Sequence, residues 1–348
     1  MSDFLEIDFL EVGDKGSGDA IAVRHRQNGV DYVYVVDGGY EADGEKLVSH
    51  IRTYYTADRV DHVVLTHPDR DHAAGLETVL EELQVGTLWM NRPWVHVDAL
   101  MPKFERYQDR DRLIGRLRRD FPNVAKLEAL AIERGILIQD ALQETEVGVF
   151  TVLAPAYGTY LDLVVASEKT PVPASKTLSA TDGVLLSAAW GEENLKGDTE
   201  GTSSENESSV VQFAQTCNWK ILLTGDAGVG ALTEAYEAAL ELGKPVTSLN
   251  VFQVPHHGSR RNVSSDVLDK WLGAKLPEEA QSPKYRAIVS ANRNDPDHPK
   301  KAVVRAMIHR GRRVFRTEGT LCSSTGDAPQ REGWSPATPL TYPTDMED

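Results

Sequence analysis

Four side chains able to bind a divalent cation fall within six residues of the stretch VVLTHPDRDHAAGL: His67, Asp69, Asp71 and His72. Imidazole and carboxylate are both good ligands for borderline or hard divalent metals. Crowded together without a cation, four such groups would repel one another or compete for space. The residues just upstream, 60–65, form a short continuous apolar run that reads as a buried strand. A loop leaving a strand end can turn alternate side chains toward one point, so the pattern predicts a metal site at a sheet edge. A helix N-cap at Asp71 or His72 is the competing explanation. Capping employs one acid and leaves the second acid and both histidines unaccounted for.

The elements that must position this loop can be read on either side of it. Residues 4–12 alternate and are apolar, 20–24 continue after the Gly-rich turn at 13–19, and 32–36 end in Asp37-Gly38-Gly39. This opening predicts a β-meander. Helices are expected over 45–56 and 73–83, and a further strand over 86–90. Residues 101–145 are more polar and charged, with Phe104, Tyr107, Leu113, Ile114 and Leu117 at roughly helical spacing, and are expected to form a helical insertion. Residues 148–154 return to strand. An irregular connector containing Pro171 and Pro173 is expected over 156–180, then a strand over 183–190 and a loop over 191–205. Strands are expected again at 209–214, 220–223, 251–254 and 286–290. Helices are expected over 227–242 and 298–310, the latter entered through Pro299. Two halves of strands with helices outside predict an α/β protein built as a four-layer αββα sandwich. A single domain over 1–325 and a mobile Pro- and acid-rich tail over 326–348 complete the expectation.

Composition limits the functions open to such a chain. Its 348 residues carry a net charge of −16, so the global field repels long polyanions unless a local basic patch intervenes. Cys217 and Cys322 are the two cysteines, too few for a disulfide framework and in no CxxC, so any metal is left to histidines and carboxylates. No apolar run approaches the roughly 20 residues of a membrane helix. The opening residues are acidic where a signal peptide is basic and then apolar. A cytoplasmic protein without membrane contact is expected.

The HPDRDH run resembles the HxHxDH signature of the metallo-β-lactamase superfamily. More narrowly, it resembles the ComEC-like branch, named for the nuclease-like domain of the DNA-uptake channel protein. Further stretches occur in that branch's order: FLEVG…GSGDAIAV, VVDGG with Asp37, ILLTGDA with Asp226, VPHHGS with His256 and His257, SANRNDPDHP with His298, and RTEGTLCSS. The resemblance spans about residues 4–325. It implies the four-layer sandwich and a standalone, channel-free relative of that domain. It also implies one or two divalent ions (Zn2+ or Mn2+), with His67 and Asp69 serving one position, Asp71 and His72 the other, and Asp226 bridging them. His256 and His257 would add a ligand or a proton donor, His257 by preference, with one of the pair turned away. His298 would supply a further ligand or meet the leaving group. Two departures stand out: Asp69 replaces the second histidine of the signature, and SENESSVV offers Asn206, Glu207 and Ser208 where the superfamily has a histidine. Both replace nitrogen with oxygen and tilt selection from zinc toward manganese or magnesium.

The expected activity is metal-dependent hydrolysis, of a phosphodiester or nucleic acid, by a metal-activated hydroxide. Asp71, His257 and His298 are the expected catalytic groups. Asn206, Ser208, Arg260 and Arg261 are the expected substrate contacts. Lys103, Arg106, Arg110, Arg112, Arg116, Arg118 and Arg119 in the insertion could form a phosphate-tracking face, but interleaved acids also fit a solvated, salt-bridged helix. Two other readings remain open. One is a small-molecule hydrolase acting on a cyclic nucleotide or lactone; the other is a metal-binding regulatory subunit with a protein partner or a second copy of itself. His25, His50, His62, His96 and His309 lie outside these motifs and are expected to be structural or solvent-exposed.

Overall fold

The computed structural model describes residues 2–13, 16–104, 109–169 and 189–345. The first sheet starts where residues alternate between two environments. Along β1 (Phe4–Phe9), Leu5, Ile7 and Phe9 point into the layer between the sheets, while Glu6 and Asp8 are buried on the other face. β2 (Ala20–Gln27) and β3 (Val30–Gly38) continue the meander antiparallel. β4 (Arg59–Val64) and β5 (Gln84–Trp89) join parallel. The short β6 (Leu137–Gln139) and β14 (Leu321–Ser324) form the edges, giving the order β14-β1-β2-β3-β4-β5-β6. The second sheet runs β13-β12-β11-β10-β9-β8-β7. It is built from β7 (Glu146–Val147), β8 (Phe150–Ala154), β9 (Val211–Thr216), β10 (Trp219–Leu223), β11 (Val251–Gln253), β12 (Tyr285–Val289) and β13 (Arg312–Arg316).

Helices cover the outer faces. Against the first sheet lie α1 (Glu41–His50), α2 (Arg70–Ala73), α3 (Leu76–Glu82), α4 (Val97–Leu100), α5 (Arg110–Asp120), α6 (Pro122–Glu133) and α7 (Tyr157–Lys169), sharing one apolar cluster that includes Leu47, Leu76, Leu113, Leu127 and Val164. The short α8 (Ser204–Glu207) precedes β9. Against the second sheet lie α9 (Val229–Glu241), α10 (Ser265–Leu272) and α11 (Lys301–His309), around Leu232, Trp271 and Met307. A third cluster, with Ile7, Tyr34, Phe150 and Ile288, fills the space between the sheets. The result is the αββα sandwich expected from the sequence. No helix among the described residues is long and apolar enough to cross a membrane, and both cysteines are free thiols.

Several expectations need correction. The helix expected over 73–83 is broken between α2 and α3, at Gly75, which packs so close to β3 that a side chain there would sit 1.9 Å from the Gly38 carbonyl oxygen. The Gly75 amide instead donates to the Gly39 carbonyl at 3.0 Å, tying the ligand loop to the end of β3. The insertion over 101–145 is helical only in its first part. It then returns as β6 and β7, which extend both sheets by short edge strands too brief to show a period. Residues 157–169 form α7 rather than an irregular connector. Helix α11 starts at Lys301 with Lys300 as N-cap, so Pro299 stands outside it. The tail expected to be mobile is tied down over its described part. Arg331 bonds Glu6 and Asp8, the Leu340 amide donates to the Val314 carbonyl, and the Tyr342 hydroxyl meets His309. The strand expected over 183–190 lies largely outside the described residues, as do Arg106 and Tyr107 of the insertion.

Candidate metal centre

β4 ends at Val64 and delivers Thr66 and His67 to the sheet edge. Asp37, at the end of β3 and fully buried, organises the ligand loop. It accepts from the Thr66 amide at 2.8 Å, from the Thr66 hydroxyl at 2.6 Å and from His72 Nδ1 at 2.8 Å. The Thr66 hydroxyl proton is thereby committed, so its oxygen accepts from His67 Nδ1 at 3.1 Å. Asp69 is the N-cap residue of α2, without a side-chain capping bond, and Asp71 and His72 occupy its first turn. Neither of the latter two is a cap. β2 brings in Asp19 through Gly18, where a Cβ would lie 2.5 Å from the Asp71 carbonyl oxygen. Only glycine permits that approach, and it lets the Asp19 amide donate to the same carbonyl at 3.2 Å.

The second sheet supplies the opposite wall. After β10, Asp226 comes behind Thr224 and Gly225, and its amide donates to the Ser209 hydroxyl at 3.1 Å. After β11, His256 and His257 form a single tight turn with φ of 48° and 55°. Such values are uncommon outside glycine and mark a turn held by its surroundings. The holding contacts are His256 Nδ1 to Asn262 Oδ1 at 2.9 Å and His257 Nδ1 to the Ser290 carbonyl at 2.9 Å. The Asn262 amide group in turn donates to the Asp226 carbonyl at 2.8 Å. In each of the four histidines the Nδ1 proton has an acceptor, which leaves the Nε2 lone pair directed elsewhere.

Those lone pairs converge on Asp226. Its Oδ1 is 3.3 Å from His72 Nε2 and 3.9 Å from His257 Nε2. Its Oδ2 is 3.7 Å from His67 Nε2 and 3.6 Å from His256 Nε2. Asp71 adds an oxygen 3.3 Å from His257 Nε2 and 3.8 Å from His72 Nε2. The Nε2 atoms of His67, His72 and His257 and the Oδ1 atoms of Asp226 and Asp19 are buried with no hydrogen-bond partner among the described residues. An unanswered buried polar atom costs roughly 1–3 kcal/mol, so five in one place call for a ligand. Metal-ligand groupings within 4.8 Å among the described residues are His67, His72 and Asp226; Asp71, His72 and His257; Asp19, Asp226 and His257; and Asp19, Asp37 and His72. The residues present fit a divalent cation.

Electrostatics agree with the geometry. Burial alone would raise the Asp226 carboxyl, but the charges of His72, His256 and His257 hold it well below the usual range. Asp71 is also lowered, burial being outweighed by His72 and His257. Burial opposes protonation of His257, yet Asp226, Asp71 and Asp19 raise it to about 9. His72 is raised in the same way, by Asp226, Asp37 and Asp71 against burial. Asp19 is pushed up, chiefly by burial. The carboxylates thus favour positive charge at this point.

The other expected site residues fall outside this centre. The Asp69 side chain is 47 % exposed and lies 3.7 Å from His67 Nε2. Asn206 lies buried behind His256, 3.1 Å from its Nδ1, and Ser208 donates to the Glu205 carbonyl. His298 is partly buried, with Nδ1 3.1 Å from Asp295 Oδ2, and its ring centroid is 6.2 Å from those of His256 and His257. Burial, and then the charge of His257, lowers its pKa. Arg261 is exposed and paired with Glu200 at 2.8 Å, while Arg260 is half-buried on the same turn. The expectation that one of His256 and His257 turns away is not met, since each faces a different oxygen of Asp226. In the insertion, Lys103, Arg110, Arg116 and Arg118 pair with Asp162, Asp98, Asp120 and Glu128, and Arg118 also covers the Trp94 ring. The salt-bridged alternative accounts for these four. Asp19 was missed as a ligand. Its sequence signal is its place in the GSGDAIAV stretch, an acid directly between a Gly-rich turn and a buried strand, which carried the resemblance without being assigned a ligand role. Asp37 was noticed only as part of VVDGG, without its anchoring role.

Residues 13–165 match the model of the metallo-beta-lactamase superfamily. The matched segment carries Asp19, Asp37 and the whole His67–His72 loop, and the fold is the superfamily's two-sheet sandwich. This supports a metallo-β-lactamase-type, metal-dependent hydrolase. Among solved structures, the chain is similar to a mutant of the CmlA beta-hydroxylase, with 13% identity and a TM-score of 0.39, covering 93% of this chain and 54% of that one. The chain therefore spans about half the length of that protein. It is also similar to metallo-beta-lactamase SMB-1 bound to 2-mercaptoethanesulfonate, with 12% identity, a TM-score of 0.32, and coverage of 76% and 86%. A metallo-beta-lactamase from Hirschia baltica shows 14% identity and a TM-score of 0.29, with coverage of 68% and 80%. No curated protein matches the chain.

Proposed function

We propose that the chain is a two-metal phosphodiesterase of the ComEC-like branch acting on small or short phosphodiesters. One observation carries the reading: the two oxygens of Asp226 face different histidine pairs, His72 with His257 and His67 with His256. A carboxylate so placed suits a bridge between two cations. Bound divalent cations would supply Lewis acidity at a phosphoryl oxygen and lower the pKa of water, the chemistry of in-line phosphoryl displacement. Asp19, Asp71, Asp226 and the four histidines would hold them, an oxygen-rich set compatible with manganese as well as zinc. Asp71, only partly buried and 3.3 Å from His257, orients the attacking water. His298, whose Nδ1–H is taken by Asp295, keeps an Nε2 lone pair that would accept a hydrogen bond from water or substrate.

The small-substrate preference rests on charge. Two arginines on the loops that carry the ligands are engaged, Arg261 by Glu200 and Arg70 by Glu41, and the net charge is −16. A long polyanion finds little to hold it. The test is hydrolysis of bis-p-nitrophenyl phosphate, single-stranded DNA and duplex DNA with manganese, zinc or magnesium, beside Asp71→Ala and Asp226→Ala. Metal-dependent turnover of the small ester, weaker on duplex DNA and lost in both variants, is expected. Stoichiometric metal with no turnover of any of the three would overturn the phosphodiesterase reading in favour of another hydrolysis or a regulatory subunit.

A further inference from the structure

β12 and β13 run parallel, and Arg286 and Arg313 are direct partners across their ladder. Both line a cavity of about 220 Å³ whose other walls include Phe315 and, from the opposite sheet, Cys322 and Ser323 of β14. Pro336 closes it from the C-terminal segment. The cavity therefore opens where the edge strands of the two sheets meet. It holds far more than a single water needs. It is also remote from the metal centre along the chain direction: Ser290, just past the end of β12, holds His257, whereas Arg286 lies near the start of that strand.

The two arginines are unlike most others in this chain. Arg24, Arg26, Arg52, Arg92, Arg118 and Arg331 each pair with a carboxylate. Arg286 and Arg313 form no ion pair with an acid among the described residues. Their guanidinium groups instead stand over Trp219, at 5.2 Å, and Phe315, at 5.5 Å. The chain has 53 acids against 37 lysines and arginines, so carboxylates are plentiful. Like charges placed directly opposite one another on neighbouring strands are destabilising. Arg286 registers that cost, burial and then the charge of Arg313 lowering its pKa. A pair of unneutralised guanidinium groups, one of them partly desolvated, facing a roomy cavity is a receptor for an anion. The planar fork of each group matches phosphate oxygens two at a time.

We propose that this inter-sheet cavity is a second ligand site, taking a small phosphorylated anion held by Arg286 and Arg313. The inference stands whether or not the metal centre hydrolyses phosphodiesters. Its probe is pyrophosphate, titrated by calorimetry at low ionic strength into metal-loaded wild type, into Asp226→Asn, and into the Arg286→Gln/Arg313→Gln double variant. Asp226→Asn disables the metal centre as an anion site. Binding is expected to persist in Asp226→Asn and to weaken by roughly tenfold or more in the double variant, two charge-assisted contacts being lost. The double variant should keep its metal content and circular dichroism. Should it fail to fold, Arg313→Gln alone, at an exposed position, gives the same reading with a smaller shift. Loss of all pyrophosphate binding in Asp226→Asn, or equal affinity in wild type and the arginine variants, would overturn the proposal.

Discussion

Two clusters of buried acids and histidines involve the first sheet, one on β1 and the other where the ends of β3 and β4 face the ends of β10 and β11, and they differ in how their polar atoms are satisfied. Around β1, Glu6 and Asp8 are answered at every oxygen. Arg24 Nε meets Glu6 Oε1 at 2.5 Å, and Arg331 meets Glu6 Oε2 at 2.8 Å and Asp8 Oδ1 at 2.8 Å. Asp8 Oδ2 takes His50, the Tyr55 hydroxyl and Arg331 at 2.9, 2.5 and 2.7 Å. At the ends of β3, β4 and β10, by contrast, the Nδ1 atoms of the histidines are answered and the converging Nε2 atoms of His67, His72 and His257 are not. Both places bury carboxylates, but the first answers them with arginines, a histidine and a tyrosine, and the second surrounds Asp226 with histidines. The clusters are separated by whether their polar atoms are already satisfied. The first fastens the C-terminal segment to the fold; the second is built to hold a ligand.

The sharpest way to break this comparison is to alter one member of each cluster and ask which property fails. Asp226→Asn should leave the fold intact and reduce turnover by at least about a hundredfold, the upper range seen for losing an outer-shell partner of a metal ligand; metal content by mass spectrometry should fall with it. Arg331→Ala should do the reverse. It leaves Glu6 Oε2 and Asp8 Oδ1 unanswered while Arg24, His50 and Tyr55 keep their bonds, a loss of about 3 kcal/mol in denaturant unfolding, and the folded fraction keeps its metal and turnover. Asp19→Asn sits between them and should weaken metal affinity by roughly 10–100-fold with little effect on unfolding of the chelated protein; calorimetric titration of manganese checks it.

A pH series sharpens the contrast from the satisfied side. Burial alone would raise the Asp8 pKa, but hydrogen bonds from His50 and Arg331 outweigh it and bring it from 3.8 to about 2. A depressed carboxyl stabilises the fold above its unfolded pKa and stops doing so as pH falls through the folded one. Asp8 should therefore contribute on the order of 2 kcal/mol above pH 4, lost between about pH 4 and pH 2. Asp8→Asn should flatten that part of the stability curve. The smallest effect is expected in the insertion. Arg110→Gln with Arg116→Gln breaks exposed pairs with Asp98 and Asp120, and should leave turnover and DNA retention at low salt unchanged.

The two clusters were also unequally legible in the sequence. His67, Asp69, Asp71 and His72 announce themselves because their ligand atoms come from neighbouring residues on one loop, and the apolar run before them fixes the sheet edge. Asp226, His256 and His257 became readable through motif order. Asp19 lay within the same motif order, in GSGDAIAV, but was given no role, because a lone acid after glycines looks like an ordinary turn residue until tertiary structure places it with Asp226 and His257. The Glu6–Asp8–Arg331 cluster joins positions more than 320 residues apart, a distance over which no local pattern carries information. The same holds for Arg261, whose availability to a substrate depended on Glu200, 61 residues away. The sandwich itself was legible from strand and helix periods. The edge strands β6 and β7 were not, because two or three residues show no period.

The most direct test of the central claim is metal binding by the chelator-treated protein, measured as manganese or zinc stoichiometry by titration calorimetry beside Asp226→Asn. The shared carboxylate predicts about two ions per chain, with both affinities impaired by the single substitution and with proton release as the imidazoles give up their charge. Absence of stoichiometric binding in wild type, or wild-type binding in Asp226→Asn, would contradict a bridging role for Asp226.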